Sequence, residues 1–126
     1  MPQDMHFPMT DISYTVGILG AGRIASGFDT PDSRQVLTHA HAVTRHSRLT
    51  LVALTDIDAT KGVEEARKWG TEFVPAAEQL LSEVSPDILV IATPDATHAD
   101  ILIQALSHRP RLVILEKPAI IDPADA

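Results

Sequence analysis

Five short apolar runs, each parted from the next by a segment long enough for a helix, constrain this chain more than any other feature. Residues 13–19 set Tyr14, Val16 and Ile18 in alternation, which predicts a first strand. A second strand is expected over 49–55, ending at Asp56, and a short third over 72–74. The fourth, 88–92, is apolar on both faces, as a central parallel strand is, and the fifth covers 112–115. The first connection, 25–48, is helical in outline but broken by a turn at 28–32. There Thr30 is the expected N-cap and Pro31 the first helical residue, with Val36, Leu37, Ala40 and Val43 or Thr44 buried. Asp58 caps a helix that runs to Trp69 and stops at Gly70. A brief helix follows at 77–82, and another at 97–107 turns Ile101, Leu102, Ala105 and Leu106 inward. Strands alternating with helices mean a parallel sheet with right-handed crossovers. The fold class is therefore α/β, a doubly wound parallel sheet of order 3-2-1-4-5 in which a sixth strand is absent.

A chain of 126 residues has room for one core and folds without staples. Residues 1–12 read as a polar, flexible arm and 13–126 as one domain. The absence of cysteine excludes disulfides and thiolate metal sites. Ten basic against seventeen acidic residues, a net charge of −7, argue against nucleic acid or an anionic membrane as partner. No apolar run approaches the roughly 18 to 20 residues that cross a bilayer. The acidic, proline-containing start does not resemble a signal peptide, so a cytoplasmic location is the expectation.

The first strand runs into Gly20-Ala21-Gly22-Arg23-Ile24-Ala25, which fits G-x-G-x-x-G/A between a strand and a helix. Gly20 permits a tight turn, Gly22 lets the backbone approach a pyrophosphate, and Ala25 keeps helix and sheet close. Arg23 and Ile24 open the helix whose N–H groups face the phosphates; the plain alternative is a glycine turn that only tightens the connection. Asp56 ends the second strand 36 residues after Gly20, beyond the usual interval of about 20, and an insertion in the first connection accounts for the excess. A carboxylate there accepts hydrogen bonds from ribose hydroxyls and repels a 2′-phosphate, which favours NAD over NADP. The plainer reading is that Asp56 or Asp58 only caps the next helix, and Asp58 is the better cap. In a 3-2-1-4-5 sheet the crevice opens between strands 1 and 4. Three unusual strand ends converge on it: the glycine turn, Thr93-Pro94, and Glu116-Lys117-Pro118. His98, one turn into the next helix, is either a cofactor contact or a local structural hydrogen bonder.

The blocks VGILGAGRIA, LVALTDID, ATPDATHADILIQAL and RLVILEKPAI, in this order, resemble the cofactor-binding half of the glucose–fructose oxidoreductase, inositol dehydrogenase and rhizopine-catabolism (Gfo/Idh/MocA) family. The resemblance implies a Rossmann NAD(P)-binding fold and hydride transfer between a nicotinamide cofactor and a sugar, sugar-nucleotide or cyclitol. It further implies that Lys117 is catalytic, beside the nicotinamide, and that Glu116 contacts the nicotinamide ribose or the backbone nearby. From chemistry alone, a lysine packed against apolar strands and a cofactor shares a proton readily with an alkoxide. The plain alternative is an exposed ion pair at a strand end. His41 falls where family members carry a structural histidine on the first helix. The pattern His39-Ala40-His41 is no metal site in a helix, where such residues diverge by about 200°. Family enzymes carry a second domain that binds the sugar or polyol, and none of it is present. A stand-alone nucleotide-binding module, acting as redox sensor or assembly partner, is the competing reading, and the open sheet edge invites a second copy or a partner chain.

Overall fold

A computed structural model describes residues 12–94 and 97–117. Five parallel strands, β1 (Tyr14–Leu19), β2 (Leu49–Thr55), β3 (Glu72–Phe73), β4 (Ile88–Ile91) and β5 (Leu112–Leu115), form one sheet of order β3-β2-β1-β4-β5. The expected topology is the observed one. Most of the expected arm lies outside the described residues, as do Pro118 and the chain beyond it.

Helices cover both faces. Val16, Ile18, Leu54 and Val90 point to one side, where they pack with Ala40 and Val43 of α1 (His39–Arg45) and with Ala66 and Trp69 of α2 (Ala59–Trp69). Leu19, Ala53, Leu89 and Ile91 point to the other. There they meet α3 (Ala77–Gln79), the wide turn Leu80–Val84 that continues it, and α4 (His98–Ser107). The period of two along β1 and β4 thus divides their apolar residues between two cores. Asp58 caps α2 by accepting from the Lys61 N–H at 3.2 Å, and Gly70 ends the helix in the left-handed conformation, both as expected.

The first connection departs from expectation. After β1 the chain makes a single wide helical turn, Arg23–Gly27, closed by Ser26 and Gly27 N–H groups on the Gly22 carbonyl, both at 3.0 Å. No helix starts at Pro31, and Thr30 is no N-cap: its carbonyl accepts from Ser33 in an isolated turn. Val36 and Leu37, expected in the core, are 45% and 49% exposed. The cause is Asp29, a buried carboxylate in a segment whose composition reads as a solvent turn. It accepts from Leu37 N–H at 2.7 Å, Thr38 Oγ1 at 2.7 Å and His41 Nδ1 at 2.8 Å. Those bonds hold Leu37 and Thr38 ahead of the helix, Thr38 in extended backbone, and the helix begins only at His39, with Thr38 accepting from the His41 N–H at 3.1 Å. Burial alone would raise the Asp29 carboxyl, but the Leu37, Thr38 and His41 donors outweigh it and hold it below the ordinary value. His41 is fully buried against Trp69, ring centroids 5.3 Å apart, which suits a structural part. On α4 the inward stripe is His98, Ile101, Leu102 and Ala105, shifted toward the start of the helix from the expected one, and Leu106 is exposed.

Candidate functional site

Gly20 sits where three strands end. Its N–H donates to the Thr55 carbonyl of β2 at 2.8 Å, and its φ is +109°. A Cβ on Gly20 would lie 2.6 Å from the Ala92 carbonyl oxygen, so β4 can come this close only because that atom is missing. Gly22 is the opposite case. Its backbone is ordinary, φ −77° and ψ −169°, and a Cβ there would meet nothing nearer than Lys61 Nζ at 4.0 Å. The space in front of Gly22 is a crevice of about 450 Å³, lined among others by Gly20, Asp56, Ile57, Lys61, Thr93 and Pro94. A second hollow of about 310 Å³ adjoins it, sharing Gly20, Asp56, Ile57 and Thr93 and adding Pro75, Ala76 and Ile101. The crevice lies at the carboxyl ends of β1 and β4, where the strand order reverses.

Asp56 braces the turn from the side. One carboxylate oxygen accepts from the Ala21 N–H at 2.7 Å and the other from the Asp58 N–H at 2.8 Å. Each oxygen keeps a further lone pair for a ligand hydroxyl. From below, the turn is held by the Trp69 indole, whose N–H donates to the Ser26 carbonyl at 3.0 Å, and by Ser26 Oγ on Glu65 at 2.7 Å. The first N–H groups of a helical turn have no acceptor inside it. Gly22, Arg23 and Ile24 supply them here, beside a carboxylate with spare acceptor capacity and a nearby ammonium. The arrangement suits a ligand that is anionic at one point and hydroxylated at another.

Of the residues singled out in the sequence, Gly20, Gly22, Asp56, Thr93 and Pro94 come together on the crevice. Arg23 and Ile24 stand exposed at the head of the turn, outside that lining. His98 is buried, and its Nε2 lies 2.8 Å from the Thr93 carbonyl, so it secures the loop that carries Thr93 and Pro94. Glu116 continues the ladder, its N–H donating to the Ile91 carbonyl at 3.0 Å, while its carboxylate takes a hydrogen bond from His39 Nε2 at 2.6 Å. Lys117, exposed, follows it beyond the crevice lining. The neighbouring histidines thus have separate acid partners, His39 with Glu116 and His41 with Asp29.

Two of the lining residues outside the expected set, Ile57 and Lys61, carry a signal of their own. Ile57 is 98% exposed directly after Asp56, an apolar side chain in a turn with no core to join. Lys61 stands in the first turn of α2, where the helix dipole disfavours a cation. Both anomalies are visible in the sequence once the strand end and the helix start are fixed.

A family model described as an oxidoreductase family with an NAD-binding Rossmann fold matches residues 14–126. An inositol 2-dehydrogenase from Rubrobacter xylanophilus is 34% identical over 89 residues, 68% of this chain and 25% of that protein. Another from Rhizobium meliloti is 32% identical over 106 residues, 84% of this chain and 28% of its own length. The WlbA dehydrogenase from Bordetella pertussis, solved in complex with NADH and UDP-GlcNAcA, superposes with a TM-score of 0.77 at 25% identity, covering 94% of this chain and 31% of that one. The chain therefore spans only about a quarter of the length of the two inositol dehydrogenases. Among the described residues no helix is long and apolar enough to cross a membrane.

Proposed function

Since the chain belongs to the Gfo/Idh/MocA oxidoreductase family and forms its NAD-binding Rossmann domain, we propose that it serves as the cofactor-holding part of a dehydrogenase acting on a hydroxyl or carbonyl of a cyclitol, sugar or sugar-nucleotide. The residues fit the dinucleotide. Gly22 leaves its Cβ direction open above the crevice, the head of the turn offers N–H donors to a pyrophosphate, and Lys61 adds a cation nearby. Asp56 receives the adenosine ribose hydroxyls through its remaining lone pairs, and Ile57 gives the adenine an apolar surface. The bound nicotinamide supplies the hydride acceptor or donor. Thr93 and Pro94 wall the crevice on the β4 side, where proline has no N–H to compete for the ligand. Lys117, at the end of β5, contacts the nicotinamide end of the cofactor, orients the reacting oxygen and shares its proton. A second domain, in the same polypeptide or another, supplies the substrate platform, in keeping with the fraction of the relatives that this chain covers.

The observation that carries the reading is the open side of Gly22 beside the Asp56 carboxylate. Calorimetric titration with NAD and NADP tests it. NAD should bind at least several-fold more tightly, and Asp56→Ala should weaken NAD and narrow the difference. Equal or reversed affinities in the parent chain would overturn the part given to Asp56, and binding of neither cofactor would overturn the function.

A further inference from the structure

The crossover detour, which the cofactor crevice does not use, ends at a contact between α1 and the end of β5. Asp29 fastens Leu37, Thr38 and His41, and thereby fixes where α1 starts. The first residue of that helix is His39, and its Nε2 lies 2.6 Å from Glu116 Oε2, the two side chains being 22% and 28% exposed. Among the described residues β5 has a strand neighbour on one side only, β4, so its end is held from one flank by the Glu116 N–H bond to Ile91. His39 adds a side-chain anchor from outside the sheet at the end of β5.

We propose that His39 is a positioning residue: by holding the Glu116 carboxylate it sets the reach of Lys117 toward the nicotinamide end of the crevice. The inference rests on the part given to Lys117 above. A hydrogen bond from an imidazole to a carboxylate is short and charge-assisted in character, and it restrains the backbone one residue before the ammonium. It also occupies Glu116. A carboxylate released from His39 is free to swing toward the ammonium of the next residue and to withdraw it from a ligand. His39 needs no contact with the cofactor to act in this way.

The test separates the two ends of the cofactor. NADH binding is followed by nicotinamide fluorescence, and ADP-ribose, which lacks the nicotinamide, is titrated by calorimetry, both with the intact chain. His39→Ala should weaken NADH at least fivefold and shift the emission of the bound nicotinamide, while ADP-ribose affinity stays within twofold. His39→Gln, which keeps an N–H at similar reach, should recover most of the loss. Lys117→Ala should show the same selective loss, and adding His39→Ala to it should change NADH affinity by less than twofold, because the two act through one contact. Unchanged NADH affinity in His39→Ala would overturn the proposal. So would an equal loss for ADP-ribose, a Gln variant no better than Ala, or additive losses in the double variant. A parent chain that binds neither ligand would bring down the functional reading and this inference with it. Binding of both ligands, indifferent to His39, would bring down the inference alone.

Discussion

The two glycines of the turn should fail in opposite ways when each is replaced by alanine. In Gly20→Ala the new Cβ must sit at φ +109° and 2.6 Å from the Ala92 oxygen, with the Ala92 carbon at 2.8 Å and the Thr93 nitrogen at 3.1 Å. These are backbone atoms, and the Ala92 N–H is bonded to the Leu19 carbonyl at 2.9 Å, so they cannot yield without parting β1 from β4. The backbone conformation costs about 1–3 kcal/mol and the overpacking about another 1–3 kcal/mol. The smaller entropy of the unfolded alanine chain returns about 0.4–1 kcal/mol. A net loss of about 2–5 kcal/mol is a large share of the roughly 5–15 kcal/mol that holds a domain together. At about 3–5 °C per kcal/mol for a chain of this size, the melting midpoint should fall by about 6–25 °C. Gly22→Ala meets no such obstacle. Its φ of −77° suits alanine and its Cβ enters open space, so stability should hold or rise by about 0.4–1 kcal/mol. On the proposed binding mode the methyl group stands in the path of the pyrophosphate, and NAD affinity should fall at least about tenfold, about 1.4 kcal/mol. Thermal unfolding by circular dichroism and calorimetric titration of both variants separate the effects. A Gly22→Ala chain that melts as early as Gly20→Ala, or that binds NAD like the parent, would refute the reasoning.

Asp29 gives the chain an acid-sensitive joint. Its folded carboxyl titrates below the unfolded value of 3.8, so its contribution is complete above that value and is lost as pH falls through the lower folded one. Stability measured by urea unfolding should therefore decline below about pH 4, less steeply in Asp29→Asn. Asp29→Ala, which strands three donors, should cost at least about 3 kcal/mol at neutral pH. Lys61→Gln should weaken NAD binding by about 1.5- to 5-fold, the worth of an exposed ion pair. That difference should fade in high salt as screening removes it, and a salt-independent loss would argue against a charge contact with the cofactor.

The strands were legible because their signal is local. The bounds expected for β2 and β5 are the observed ones, and the caps of α2 are single residues, Asp58 and Gly70, with one job each. The glycine turn and Asp56 were legible for the same reason, as residue types at strand ends. The first connection was not, because its shape is decided by a buried acid. Phe28-Asp29-Thr30-Pro31-Asp32 has the composition of a surface turn, and only the fold shows Asp29 drawn under Leu37 and Thr38. Likewise the Asp56 bond to Ala21 and the His39 bond to Glu116 join positions far apart in the chain, for which no local pattern exists. Lys61 went unnoticed because its oddity, a cation in the first turn of a helix, shows only once the start of α2 is fixed, and its link to the crevice only once its Nζ is seen 4.0 Å from where a Gly22 Cβ would lie.

Strand order also dictates a timetable. β1 is the central strand yet the first to be made, pairing with β2 on one side, Tyr14 against Leu49, and with β4 on the other, Val16 against Ile88. On a ribosome adding about 5–20 residues per second, the stretch from the end of β2 to the end of β4 takes roughly 2–7 s to synthesise. Throughout that interval the second edge of β1, with Val16 and Ile18 among its side chains, offers unpaired N–H and C=O groups to any passing strand. Closing the long loop costs little free energy, because the entropic penalty grows only slowly with length. The exposure is a matter of time, met by chaperones or by speed. A chain cut before Ile88 keeps the middle of its sheet open indefinitely, a broken centre in place of a smaller finished fold.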